Sequence, residues 1–80
     1  MEQQPRSHQA ITYRIKVKGK LRKRWIDWFG GMAITYELQS DGTPVTALTG
    51  KIIDQAALHG ILTKIRDLNL ELISVTRPEG

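Results

Sequence analysis

Residues 54–70, DQAALHGILTKIRDLNL, decide the fold, because they carry the start, the buried face and the end of one helix. Asp54 is a residue type whose side-chain oxygen caps helix N-termini. Asn69 suits the left-handed position that ends a helix, and Leu70 can close the turn on the apolar face. That face is a set of apolar residues at helical spacing, namely Leu58, Ile61, Leu62, Ile65 and Leu68. The segment therefore predicts a helix between Asp54 and Asn69.

The sequence on both sides of this helix has the period of β-strands. Residues 13–18 alternate between apolar and basic side chains, and residues 32–39 alternate between large apolar and smaller or polar ones. Residues 45–52 and 72–76 are rich in β-branched types. A period of two is typical of a half-buried strand, and the Asp-Gly pair within residues 40–44 is typical of a hairpin turn. We therefore predict four strands.

The segment between the first two strands is ambiguous. Its apolar residues fall at helical spacing and precede a Gly-Gly pair that can end a helix; they are Leu21, Trp25, Trp28, Phe29 and Met32. Against a helix, the cations at residues 22–24 crowd its N-terminal end, and no residue there is a good N-cap. We predict a short helix or helical turn here, so that the order is βαββαβ, an antiparallel sheet with helices on one face in the ferredoxin-like plan. If residues 21–31 form a loop, the order is βββαβ; both are two-layer α+β folds.

The length of 80 residues allows a single domain. We expect residues 1–10 to form a mobile tail, residues 11–76 one α+β domain and residues 77–80 a second tail. No cysteine is present to form a disulfide, and His8 and His59 are not spaced as metal ligands. Because a domain this small is marginally stable alone, we expect self-association into a homo-oligomer, and we expect no cofactor.

The composition favours a cytoplasmic protein. The longest apolar runs are far shorter than the roughly 20 residues of a membrane span, and the first ten residues lack the apolar stretch of a signal peptide. A chain without cysteine needs no oxidising compartment. We therefore expect no membrane partner.

Several longer motifs give the chain a family resemblance. They are YRIKVKG at residues 13–19, WIDWFGGM at 25–32, LTG at 48–50, DQAALHGIL at 54–62 and KIRDLNLELISV at 64–75. In this combination the chain resembles a family of short bacterial single-domain proteins of uncharacterised function, over about residues 11–76. The resemblance implies a free-standing domain and implies no activity.

A dense basic segment covers residues 14–24, which contain no acidic residue. Its cations are Arg14, Lys16, Lys18, Lys20, Arg22, Lys23 and Arg24. Such a segment can attract an anionic partner, and nucleic acid is one candidate. Sheets that bind single strands need outward aromatic side chains, whereas Tyr13 and Tyr36 share the inward faces of their predicted strands. We therefore favour a solvated or partner-facing stripe over a nucleic-acid site.

A small notch is predicted on the outer face of the main helix. Gly60 stands in mid-helix, where glycine costs about 1 kcal/mol relative to alanine. It lies beside Ala56 and Thr63, so another backbone can approach closely there. Trp25 and Trp28 can also contact a partner, although core packing explains their spacing more simply. We interpret Ala56, Gly60, Thr63, Trp25 and Trp28 as candidate partner-binding residues.

His59 is the one histidine in the predicted domain, and no carboxylate neighbours it on the helical wheel. We therefore expect no catalytic residue and no bound metal. Our first hypothesis is a non-enzymatic protein-interaction or oligomerising module. The alternatives are nucleic-acid binding through residues 14–24 and a small-ligand sensor or small ferredoxin-like enzyme.

Overall fold

The computed structural model describes residues 10–25 and 27–78, so most of the predicted tail at 1–10 and the last two residues of the tail at 77–80 lie outside the described residues. The strands and the helix are β1 Ile11–Lys18, β2 Ala33–Leu38, β3 Pro44–Ile52, α1 Gln55–Asp67 and β4 Leu72–Thr76. The strands form one sheet in the order β2-β3-β1-β4, and all neighbouring strands are antiparallel. The predicted α+β class is confirmed.

The ends of α1 follow the predicted capping pattern. The Asp54 side chain accepts a hydrogen bond from the N–H of Ala57 at 2.8 Å, which satisfies a donor that the helix start leaves free. Asn69 has a φ of 60°, and the N–H of Leu70 donates to the carbonyl of Ile65 at 3.1 Å. These two features make a Schellman-type end. The predicted helix is confirmed at both ends.

Residues 21–31, predicted as a short helix or helical turn, are not α-helical where the structure describes them. Where they are described, they form two single-turn 3-10 helices, Lys23–Trp25 and Asp27–Phe29. The segment lacks an N-cap, and its cations at residues 22–24 oppose the helix dipole, so an α-helix has little local support. Over the described residues the element order is βββαβ, the alternative that the sequence left open, and one α-helix rather than several covers the sheet.

The core lies between one face of the sheet and α1. Ile15 and Val17 of β1 are fully buried, and they lie opposite Leu48 and Thr46 of β3. The rest of the buried cluster comes from α1, from the end of β3 and from the connection between β1 and β2; it consists of Leu21, Phe29, Met32, Ile52, Leu58 and Ile65. We call the side of the sheet that carries Ile15 and Val17 the core face, and the opposite side the open face.

Two side chains hold the β1–β2 connection against the core face. Thr46 is fully buried, and its hydroxyl accepts from the N–H of Leu21 at 2.8 Å and donates to the carbonyl of Gly19 at 2.7 Å. The hydroxyl of Tyr36, which lies opposite Thr46 in the sheet, donates to the carbonyl of Leu21 at 2.7 Å. Both backbone groups of Leu21 are therefore satisfied although no regular secondary structure contains this residue.

The predicted Asp-Gly turn joins β2 to β3. The N–H of Gly42 donates to the carbonyl of Gln39 at 2.9 Å, and Gly42 has a φ of 85°, a left-handed value that glycine adopts without strain. Asp41 accepts from the N–H of Thr43 at 2.9 Å. Hydrogen bonds from the Thr43 side chain and backbone lower the pKa of the Asp41 carboxyl below its ordinary value of 3.8.

Candidate interaction surface

Strand β4 forms one edge of the sheet and carries an exposed apolar surface. Leu72, Ile73 and Val75 are 45%, 40% and 37% exposed, and we call these three residues the β4 patch. Val75 lies opposite Ile15, and Leu72 lies opposite Val17, so both point to the core face. Apolar side chains are therefore presented to solvent on the side of the sheet that the core occupies.

The β4 patch stays exposed because the buried core does not extend over β4. The buried cluster and the apolar side chains packed on it come from β1, β2, β3, α1, the β1–β2 connection and Leu70. Within the described part of the chain, no β4 side chain belongs to that set. A single helix of 13 residues does not shield all four strands, and both edge strands, β2 and β4, keep apolar side chains exposed.

A second apolar surface is an open groove of about 440 Å³ beside α1. We call it the helix groove, and its wall on α1 is made by Ala57, Gly60, Ile61 and Lys64. The other side is formed by Ala10, Phe29, Gly30, Met32 and residues 51–53. No heavy atom lies within 4 Å of the position that a Cβ of Gly60 would occupy. The groove therefore has room for a small side chain at Gly60.

The predicted notch residues lie on the exposed side of α1. Ala56, Gly60 and Thr63 are all exposed. Gly60 lines the helix groove, whereas Ala56 and Thr63 are not among the residues that line it. All three notch residues are therefore accessible to solvent, but of these three only Gly60 lines the helix groove.

The two predicted tryptophans lie next to each other beside this groove, with their ring planes tilted by 47°. The rings of Trp25 and Trp28 are 5.3 Å apart between centroids, and that of Phe29 lies 5.9 Å from that of Trp28. Trp25 packs on the core, while Trp28 is 38% exposed. Lys64 joins Trp28 to α1, because its Nζ donates to the carbonyl of Trp28 at 2.6 Å and lies 5.7 Å from the ring centroid.

Several cations of the basic segment are occupied within the chain. Lys16 forms an ion pair with Glu37 at 3.2 Å, and Lys18 lies 4.0 Å from a carboxylate oxygen of Glu71. Lys20 sits 5.0 Å from the ring centroid of Tyr36, and Arg24 sits 5.7 Å from that of Trp25. The two carboxylates offset the charge of Lys16 and Lys18, whereas the aromatic contacts of Lys20 and Arg24 leave their charges in place, so the positive potential of the segment is weaker than its composition indicates only near β1.

The basic segment also divides between the two faces of the sheet. Arg14, Lys16 and Lys18 lie on the open face, opposite Thr49, Ala47 and Val45 of β3. The chain then crosses to the core face, where Leu21 is buried, and Arg22 and Arg24 follow as exposed residues. Lys23 belongs to the first 3-10 helix. The strand cations Arg14, Lys16 and Lys18 therefore lie on the face opposite to that of Tyr36, which Lys20 contacts.

His59, the histidine of the predicted domain, is exposed on α1. Within residues 10–25 and 27–78, no three histidine, aspartate or glutamate side chains come together in an arrangement that can hold a metal ion. Among the described residues, the surfaces best suited to bind a partner are the apolar ones, namely the β4 patch and the helix groove.

Reasoning from sequence missed the β4 patch. Residues 72–76 were predicted as a strand, and their lack of charge was visible. Whether such a strand is central or at an edge depends on its pairing with distant residues, here residues 14–17 of β1. An uncharged, β-branched strand after the main helix was the one available signal.

Comparison with known proteins assigns the chain to a family, and the description of that family names no activity. No curated protein and no solved structure matches the chain. None of the helices in the described residues is both long enough and apolar enough to cross a membrane. A family model described as "Domain of unknown function (DUF8691)" matches residues 12–76, close to the extent of the predicted resemblance. The chain belongs to this family of domains of unknown function.

Proposed function

We propose that this protein is a protein-interaction module that works by self-association. The observation that carries the proposal is the β4 patch, whose three apolar side chains are between 37% and 45% exposed on an edge strand. Covering apolar surface is favourable by about 25 cal/mol per Å². An edge strand also offers backbone donors and acceptors to another strand.

Small size supports the same proposal. A domain of 80 residues buries a limited share of its surface, and it has no disulfide because it has no cysteine. Association adds buried surface that one copy cannot supply. The cysteine-free sequence also suits the reducing cytoplasm, which is the compartment we propose.

The fold proposal is a reduced ferredoxin-like domain. β3 and β4 are both antiparallel to β1, which lies between them, and α1 connects them. In the ferredoxin-like plan, a second helix connects β1 to β2; here two 3-10 helices occupy that connection. These two 3-10 helices cover less of the core face than a second α-helix would, which accounts for the 40% exposure of Tyr36.

The test of self-association is sedimentation velocity over a concentration series from low to high micromolar. We expect the mean mass to rise with concentration from one copy towards two. A mass of one copy at every concentration would contradict the proposal. Because the proposed contact is largely apolar, moderate salt should leave the equilibrium nearly unchanged.

Binding of a small anionic apolar ligand in the helix groove is a second candidate function. The observation that favours it is the combination of apolar walls with Lys51 and Lys64. The probe is anilinonaphthalene sulfonate, whose fluorescence rises in apolar sites. We expect Gly60→Leu, which fills the groove, to abolish the signal, and Thr35→Leu on β2 to leave it unchanged. Equal fluorescence from both variants would exclude the groove as the site.

A further inference from the structure

We infer that β4 pairs with β4 of a second copy in antiparallel orientation, so that two four-stranded sheets join into one. This inference rests on the proposed self-association and names its surface. It also specifies the register, in which Val75 lies opposite Leu72 of the second copy and Leu72 lies opposite Val75. The two-fold axis then passes between Ile73 and Ser74.

The direction of the β1 backbone shows which β4 groups point outward. The N–H of Lys18 donates to the carbonyl of Glu71 in the β4 direction at 2.9 Å, and the N–H of Gly19 donates to the carbonyl of Pro44 in the β3 direction at 2.7 Å. Successive strand residues alternate between the two neighbours. Ile15 and Val17 therefore direct their N–H and C=O groups towards β3 and away from β4.

Val75 and Leu72 lie opposite these two residues of β1. Both are thus at positions that exchange no hydrogen bonds with β1, and their own N–H and C=O groups point away from the sheet. Their side chains lie on the core face and are exposed. Each of the two residues therefore offers a donor, an acceptor and an apolar side chain on the same edge.

The proposed register uses all of these groups. Pairing Val75 with Leu72 of the second copy, twice by symmetry, makes two double hydrogen-bonded pairs and brings the apolar side chains together on the core face. The pairing with β1 shifts register between Lys16 and Val17, which leaves Ile73 as the extra residue of a bulge. Both copies carry the same bulge, so each β4 strand has the same two residues, Ile73 and Ser74, between Leu72 and Val75. The two hydrogen-bonded pairs are therefore equally spaced on both strands.

The charges that flank β4 favour a second copy in antiparallel orientation. Glu71 precedes the strand, Arg77 follows it, and residues 72–76 carry no charge. In the antiparallel pair, the acidic start of each strand lies beside the basic end of the other, whereas a parallel pair would place like charges together. Arg77 lies beyond the last pair with β1, Arg14 with Thr76, so its long side chain is not held to one face.

The opposite edge of the sheet is less suited to this role. β2 carries Glu37, which is committed to the ion pair with Lys16 across β3. A charged residue on an edge strand discourages pairing with another strand. Both edges expose apolar side chains, Tyr36 and Leu38 on β2 and the β4 patch on β4. They differ in charge, because β2 carries Glu37 and residues 72–76 carry none, and this difference favours β4 for the addition of a strand.

The first experiment uses proline to remove an outward N–H. Val75→Pro deletes a donor that the β1 ladder does not use, and proline is tolerated at such edge positions. Val75→Ala is the matched control, because it shortens the side chain and keeps the N–H. We expect Val75→Pro to weaken the dimer about tenfold or more relative to Val75→Ala in sedimentation velocity, with the far-ultraviolet circular dichroism spectrum unchanged.

The second experiment uses the absence of native cysteine. Ser74→Cys places one thiol per copy beside the two-fold axis, within the reach of a disulfide. Thr35→Cys on β2 and Thr63→Cys on α1 are controls at exposed positions on other surfaces. Under mild oxidation we expect a covalent dimer from Ser74→Cys at low concentration and none from the two controls.

The outcomes separate this inference from the proposed function. A dimer that survives in Val75→Pro as well as in Val75→Ala, or that is cross-linked through residue 35 or 63 and not through residue 74, would overturn the β4 pairing and leave self-association standing. A single-copy mass for the unmodified chain at all concentrations would overturn both. Loss of the dimer in Val75→Pro together with cross-linking at residue 74 supports the register.

Discussion

The hydroxyl of Thr46 accepts a hydrogen bond from the N–H of Leu21 at 2.8 Å, although the two residues are 25 positions apart. The same hydroxyl donates to the carbonyl of Gly19 at 2.7 Å. Thr46 is fully buried, so water does not replace either partner. One hydroxyl on the core face of β3 therefore fixes the start of the β1–β2 connection.

Replacing Thr46 with valine should destabilise the fold by about 1–3 kcal/mol, because a buried N–H and a buried C=O lose their partner at nearly constant volume. Urea unfolding measures this change. Amide hydrogen exchange at Leu21 should accelerate in Thr46→Val and remain slow in Thr46→Ser, which keeps the hydroxyl. Equal protection of Leu21 in both variants would show that the hydroxyl does not hold the connection.

Replacing Asp54 with alanine should lower the free energy of unfolding by about 1 kcal/mol, because the N–H of Ala57 loses its acceptor. Asp54→Ser retains a capping oxygen and should lose much less. Both values come from urea unfolding. A loss as large for serine as for alanine would mean that the contribution of Asp54 is not capping.

Replacing Gly60 with alanine should raise the free energy of unfolding by about 1 kcal/mol through helix propensity. The added Cβ meets no heavy atom within 4 Å, so no steric penalty offsets the gain. Ala56→Gly, also exposed on α1, is the reverse control and should lose a similar amount. Destabilisation by Gly60→Ala would show that a neighbour occupies this position in solution.

The lowered pKa of Asp41 makes a small part of the stability depend on pH. Its folded-state pKa is below the ordinary value of 3.8, so the stabilisation is present above that pH and is lost as the pH falls through the folded pKa. Asp41→Asn should therefore be less stable than the unmodified chain near neutral pH. The difference between their urea midpoints should shrink below pH 3.8, and a constant difference would argue against the carboxylate as its source.

The two faces of the sheet were predictable from sequence. The alternation in residues 13–18 predicts that Arg14, Lys16 and Lys18 share one face of β1 and that the apolar residues share the other. The structure confirms this division, since Ile15 and Val17 are fully buried on the core face while Lys18 is exposed on the open face. The period of two carries this information because adjacent strand residues point to opposite faces.

The β1–β2 connection was not predictable in the same way. An irregular segment can also bury apolar residues that fall at helical spacing. Leu21, Phe29 and Met32 are buried in this way, without an α-helix. What fixes this segment is contact with Thr46 and Tyr36, which are distant in sequence. The spacing of apolar residues along the chain does not predict contacts between residues that are distant in sequence.

By itself, the sequence of this protein determined the position and ends of α1, the Asp-Gly turn and the alternation of the strands, because caps, turns and side-chain periods are local properties of the chain. Tertiary structure alone decided that β4 is an edge strand, that its apolar residues stay exposed and that the basic segment divides between two faces. These features depend on which distant strands pair and on how much of the sheet one helix can cover.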